Sequence, residues 1–202
     1  MIDRRVQKTL LALHRALIAL ILEKGYDAIT IKDIIDRANV GRSTFYAHYT
    51  DKGQLLASGL IDLGKALSAH QKAERVKHKG AAVPFSFSLP LFKHAQEYKD
   101  VYRAMLGRQA GAVVAGHLRD VLTELVTDDL TMSTPRTSPV TVPTEALIQF
   151  IVGAVMSMLT WWVDEPTGLG ADEVDMVFRQ LTLAASPAST ALSDRPCQKI
   201  SA

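Results

Sequence analysis

The residues best equipped for chemistry stand together in "NVGRSTFYAHYTDK", Asn39 to Lys52, where Arg, Lys, His, two Tyr and several hydroxyls fall within fourteen residues. Most of these types are seldom core, so on a short helix they make a surface of donors suited to something acidic. A helix lying in the major groove of DNA needs this mixture, because some side chains read base edges while others grip phosphates and set the register. Arg42 has the fork for a guanine edge or a phosphate; Ser43 and Thr44 offer hydroxyls, and the Thr44 methyl can meet a thymine methyl. Tyr46, His48 and Tyr49 can donate to phosphate oxygens. Lys52 sits in the first turn of the next helix, where free backbone N–H groups already favour an anion.

Such a face works only if neighbouring elements hold it. Residues 4–24 read as a helix with Leu10, Leu13, Leu17, Leu20 and Ile21 on one stripe, ended by Gly25. Thr30, three residues before Asp33, opens a second helix with a variant capping box, and Ile31, Ile34, Ile35 and Ala38 form its buried side. Asn39 can take the left-handed conformation that stops a helix, and Gly41 can start the next. Two short helices about a turn apart, after a longer supporting one, predict a helix-turn-helix. Phe45 is expected to plug the angle between them, and Asp51 to open a long helix reaching about Lys79, whose basic end suits either the helix dipole or a partner.

The stretch "TIKDIIDRANVGRSTFYAHYTDKGQLL" resembles the DNA-binding segment of the tetracycline-repressor (TetR) family of bacterial regulators. Ile34, Ala38, Val40, Thr44, Phe45, Tyr46, His48, Lys52 and Leu55 match that pattern; Ile35, Asn39, Gly41, Ser43 and Tyr49 depart from it. Ser43 in place of a Gly adds a donor to the reading face and alters the base preference expected. The resemblance implies an all-α fold: a three-helix DNA-binding domain over residues 1–52, a larger helical ligand-binding and dimerisation domain over 53–185, and a homodimer joined through the last two helices. Its DNA-contact set is Thr30, Arg42, Ser43, Thr44, Tyr46, His48, Tyr49 and Lys52. The partners it implies are double-stranded DNA, as a palindromic operator, and a small-molecule effector. "YRAMLG" and the later "TWW" also resemble the subgroup of dihydroxyacetone-kinase regulators.

Beyond the head, helices are expected at about 90–106 and 110–128, then a Ser/Thr/Pro-rich loop over 129–143, an apolar helix over 144–163, a final helix over 171–185 and a disordered tail over 186–202. Phe92, Tyr102, Met105, His117, Met158 and Trp162 are candidates to line an effector cavity, since Met and aromatic side chains make adaptable walls; ordinary core packing is the other reading. On the apolar helix, Ile148, Ile151, Val155, Leu159 and Trp162 make one stripe, and Leu147, Phe150, Ala154, Ser157 and Trp161 another. A helix apolar all round is buried all round, and a second copy of the chain is the expected cover for the outer stripe.

Composition bounds the rest. Residues 1–119 hold 19 Lys/Arg against 10 Asp/Glu, and residues 120–202 hold 4 against 11, so the first half is the phosphate-facing one or the surface is merely uneven. The single Cys197 excludes an internal disulfide and fits a reducing, cytoplasmic setting. Ala146–Val163 carries no charge over 18 residues but has acidic flanks and no Lys/Arg anchor, so no membrane span is expected, nor is a signal peptide. The scattered His residues lack metal-ligand spacing, and His14 reads as a surface or edge residue. Asp128 and Asp129 read as solvated. No catalytic pairing appears, so neither a metal, a cofactor nor an enzyme is expected.

Overall fold

The computed structural model describes residues 4–78, 83–106, 112–132 and 142–184. The first helix, α1 (Arg4–Lys24), buries Leu13, Ala16, Leu17, Leu20 and Ile21 and ends at Gly25, whose φ of +74° suits glycine. At the start of α2 (Ile31–Ala38) the capping box forms: Asp33 N–H donates to Thr30 Oγ1 at 3.2 Å and Thr30 N–H to Asp33 Oδ2 at 2.8 Å. Asn39 then turns the chain with φ 52° and ψ 48°, as its side-chain type allows. Helix α3 (Arg42–Tyr46) starts from Gly41, and α4 (Lys52–Lys77) from Asp51, whose carboxylate accepts the Gln54 N–H at 2.8 Å.

The remaining helices are α5 (Ser88–Glu97), α6 (Lys99–Leu106), α7 (Ala112–Met132), α8 (Thr144–Asp164) and α9 (Ala171–Ala184), and no strand occurs among the described residues. The single helix expected over 90–106 is two, broken at Tyr98 (φ −112°, ψ 34°). The break lets α5 pack on α9 while α6 turns against α1 and α8, a requirement of packing that "QEYKD" does not announce. Helix α7 likewise runs past its expected end at Asp128 to Met132. The rest of the expected loop, 133–141, and the tail with Cys197 lie outside the described residues.

Two hydrophobic cores form, and α4 belongs to both. Leu55, Leu56 and Leu60 join Leu13, Leu17, Ile34 and Phe45 in the first; Leu67 joins Phe92, Leu122, Val155, Trp162 and Phe178 in the second. Gly64 lets α4 approach α7, since a Cβ there would stand 2.9 Å from Val121 Cγ1. Asp129 is not solvated as expected: it is buried, accepts the Phe85 N–H at 2.8 Å and pairs with Arg75 at 2.9 Å. Arg179 holds the same turn from α9 by donating to the carbonyls of Pro84 and Phe85 at 2.9 and 3.0 Å.

On α8 the inner stripe Ile148, Ile151, Val155, Leu159 and Trp162 is buried. Of the outer stripe, Leu147 and Ala154 pack partly on the second core, whereas Phe150 (52%) and Trp161 (44%) are exposed. On α9 Met176 (63%) and Leu181 (61%) are also exposed. Length and composition alone would let α8 cross a membrane, but its inner stripe is committed to the second core.

Candidate nucleic-acid interface and junction cavity

Five-residue α3 is too short to stand alone, so Phe45 anchors it: the ring is fully buried and meets Tyr49 at 5.9 Å and Tyr46 edge-on at 5.5 Å. With that side inward, Arg42, Ser43, Thr44 and Tyr46 are all exposed, and His48 is half-buried at the rim. Arg42 lies 5.7 Å from the centre of the Tyr46 ring and has no carboxylate partner among the described residues. Its neighbours are already engaged: Lys32 pairs with Asp36 at 2.7 Å, Arg37 with Glu23 at 2.6 Å and Lys24 with Asp33 at 2.7 Å. The face therefore offers one free guanidinium, two hydroxyls and a phenol, the donors that base edges and phosphates accept.

Three of the expected contact residues have other employment. Tyr49 is 7% exposed, and its hydroxyl lies 3.3 Å from Ser58 Oγ and 3.4 Å from His14 Nε2, directed into the head. The turn that follows α3 brings it back beside Phe45, with the Tyr49 N–H donating to the Phe45 carbonyl at 2.9 Å, a consequence of the fold that the phenol's chemistry obscured. Lys52 donates to the carbonyls of Tyr26, Asp27 and Ile29 at 2.9, 3.1 and 2.9 Å, and lies 4.6 Å over the Tyr26 ring. All three ammonium donors thus close the connector between α1 and α2 instead of reaching outward. Thr30 is exposed, but its hydroxyl and N–H are held by Asp33.

The candidate cavity residues scatter. Phe92 and Trp162 are buried against each other, rings edge-on at 5.9 Å, and the Trp162 indole N–H donates to the Leu169 carbonyl at 2.9 Å. Met158 packs on the second core, His117 is half-buried on α7, and the Met105 side chain lies outside the described residues. Tyr102 alone of the set lines a cavity of about 200 Å³ where α1, α4 and α6 meet, bordered also by His94 of α5 and Leu118 of α7. Leu17, Ile18 and Ile21 supply one wall and Leu56 and Leu60 another; His14, His94 and Tyr98 add polar edges.

Burial lowers the pKa of both His14 and His94, against the weaker pull of Asp62 on one and Glu97 on the other. It raises the Tyr102 hydroxyl far above its ordinary range. His14 is half-buried, an edge residue at the rim of this cavity. It shares a face with Leu17, Ile18 and Ile21 at spacings of three, four and seven, and His94, Tyr98 and Tyr102 recur every four, so both patterns were present in the sequence. Among the described residues no group of three or more His, Cys, Asp or Glu is placed to hold a metal ion.

Residues 13–58 match the family of bacterial regulatory proteins named tetR, and residues 84–181 match a transcriptional regulator C-terminal region. An uncharacterized HTH-type transcriptional regulator of Bacillus subtilis, YxbF, is 48% identical over 56 residues, which are 27% of this chain and 15% of that protein. A TetR transcriptional regulator from Streptococcus agalactiae superposes with a TM-score of 0.64 at 28% identity, over 89% of this chain and 96% of that one. A putative TetR-family regulator from Syntrophomonas wolfei reaches 0.74 at 16% identity (93% and 99%), a likeness of fold. FadR of Thermus thermophilus, a repressor solved with lauroyl-CoA, gives 0.57 at 18% identity (94% and 99%), again a likeness of fold.

Proposed function

The chain belongs to the TetR family of bacterial transcriptional regulators, and on that premise we propose that it is a repressor released from a palindromic operator by a small molecule. The observation that carries this reading is the outward side of α3, where Arg42, Ser43, Thr44 and Tyr46 are exposed around a buried Phe45. Arg42 reads a guanine edge or clamps a phosphate, Thr44 and Ser43 select the adjoining bases, and Tyr46 and His48 hold the backbone. Thr30, at the amino end of α2, sits beside the DNA chiefly as a cap. Tyr49 and Lys52 act from behind this surface and keep it in shape.

The second core is the centre of a ligand-binding and dimerisation domain within residues 53–185, while Leu55, Leu56 and Leu60 at the start of α4 stay with the head. The exposed apolar residues of α8 and α9, among them Phe150, Trp161, Met176 and Leu181, support a homodimer through these two helices. Two-fold symmetry then sets two reading helices about 34 Å apart, one helical turn of duplex. Because α4 carries residues of both cores, a tilt of this helix transmits a change in the body to the head. An effector that binds the tilted form more tightly lowers operator affinity by that difference, and no other property of the ligand matters to the shift.

Selection of bound fragments from a random duplex pool is the direct test, and an inverted repeat is the expected outcome. Arg42→Ala should weaken binding to the selected site and relax the preference at one position in each half-site, by about 1–3 kcal/mol. Recovery of no common sequence, with Arg42→Ala indistinguishable from the parent, would remove the assignment. The repressor role is tested by a reporter placed behind the selected site: deletion of the regulator raises expression if it represses and lowers it if it activates.

A further inference from the structure

We propose that the cavity between α1, α4 and α6 is a binding site for a small uncharged molecule, mostly apolar and bearing one hydroxyl. The site is built from both cores, with Leu17, Ile21 and Val101 from the first and Tyr102 and Leu118 from the second. Its volume of about 200 Å³ suits some six to ten non-hydrogen atoms, since an apolar cavity of about 150 Å³ holds benzene. Among the described residues no Asp, Glu, Lys or Arg lines it, and burial favours the neutral form of the two imidazoles that do. A charged guest would lose its hydration and find no counter-ion.

Hydrogen bonding leaves one nitrogen of each imidazole without a partner among the described residues. The buried Tyr102 hydroxyl lies 3.0 Å from His94 Nδ1, so on this ring the nitrogen left over is Nε2. Ser58 Oγ donates to the Leu55 carbonyl at 2.7 Å, so at 3.1 Å from His14 Nε2 it accepts. The Tyr49 hydroxyl approaches the same Nε2 at 3.4 Å, so on His14 the nitrogen left over is Nδ1. Gly59 makes room for this ring, for a Cβ there would stand 3.3 Å from His14 Nδ1 and Cε1. A neutral imidazole nitrogen donates in one tautomer and accepts in the other, and a hydroxyl at the rim of this apolar space meets either.

Binding is tested by calorimetric titration of the full chain with phenol, toluene and benzoate. Phenol should saturate at one per chain, toluene should bind about tenfold more weakly for want of the hydroxyl, and benzoate more weakly still. Leu63→Phe, which places a ring in the space, should weaken phenol binding at least tenfold, as a well-packed site predicts. His94→Leu should bring phenol down to the level of toluene while leaving toluene unchanged. Both variants are accepted only with the parent's far-ultraviolet dichroism and unfolding midpoint. Addition of phenol should also shift the ring-proton NMR signals of His14 and His94, which needs no variant. No saturation by phenol, tighter binding of benzoate, or phenol binding that survives both substitutions each overturns the site.

A second consequence, that an occupant alters DNA affinity, rests on the regulator reading above. Phenol that saturates the cavity yet leaves operator affinity unchanged would overturn this coupling and leave the site standing. Phenol that binds a chain selecting no duplex at all would instead overturn the regulator reading.

Discussion

Arg42 and Lys52 carry the same charge in the same head, yet their surroundings give them different work. The Arg42 guanidinium is exposed, whereas the Lys52 ammonium spends its donors on three carbonyls of the connector before α2. Lys52→Ala should therefore cost the fold about 2 kcal/mol, because hydrogen bonds from charged groups are among the stronger ones; urea unfolding monitored in the free protein checks it. Among molecules still folded, the salt dependence of DNA binding should match the parent, while that of Arg42→Ala should fall by about one ion. His14 and His94 make a second prediction. Their folded pKa values lie below the ordinary value near 6.5, so the unfolded chain takes up protons there that the folded one refuses. Stability present above about pH 6.5 should be lost as the pH falls towards about 5.5, still above the range of ordinary carboxylates. Unfolding midpoints across that window should drop in the parent and drop less in a His14→Asn/His94→Asn double variant.

At the scale of the element, the turn between α2 and α3 aims the whole reading face. Asn39 bears a positive φ of 52°, and its N–H bonds the carbonyls of α2, so the direction in which α3 leaves depends on one residue's tolerance of that conformation. Asn39→Gly should keep DNA affinity and stability near the parent's, and Asn39→Ala should lose about 1 kcal/mol of stability, measured by thermal unfolding. The capping box, Asn39, Gly41, Phe45 and Asp51 were all legible because each acts through neighbours within a few residues. The division of α5 from α6 was not. It has no Gly or Pro to mark it, and it exists because α5 must reach α9 and α6 must reach α1, while both also pack on α8.

For the molecule as a whole, the two stripes of α8 are decisive. Their period was legible in the sequence, and the structure buries the inner one and leaves Phe150 and Trp161 of the outer one to solvent in a single chain. Leu181→Glu, on the neighbouring α9, should leave the fold intact, since that side chain is 61% exposed, but should turn a dimer into a monomer. Light scattering coupled to size exclusion gives the mass directly. The same variant should bind half of the selected operator far more weakly than the parent binds the whole, because two heads tied together act at high effective concentration.

The sequence by itself determined the helices of the head, their caps and the outward side of α3, since these follow from hydrophobic period and local backbone chemistry. It also pointed to the two faces of α8. Only the tertiary structure decided which polar groups are free to act. Lys52 finds carbonyls more than twenty residues back in the chain, Tyr49 meets His14 and Ser58, and Asp129 meets Arg75 and Phe85. The cavity belongs to the same class: the polar faces at its edge are visible on their separate helices, but that these meet around a space is set by packing between helices distant in sequence.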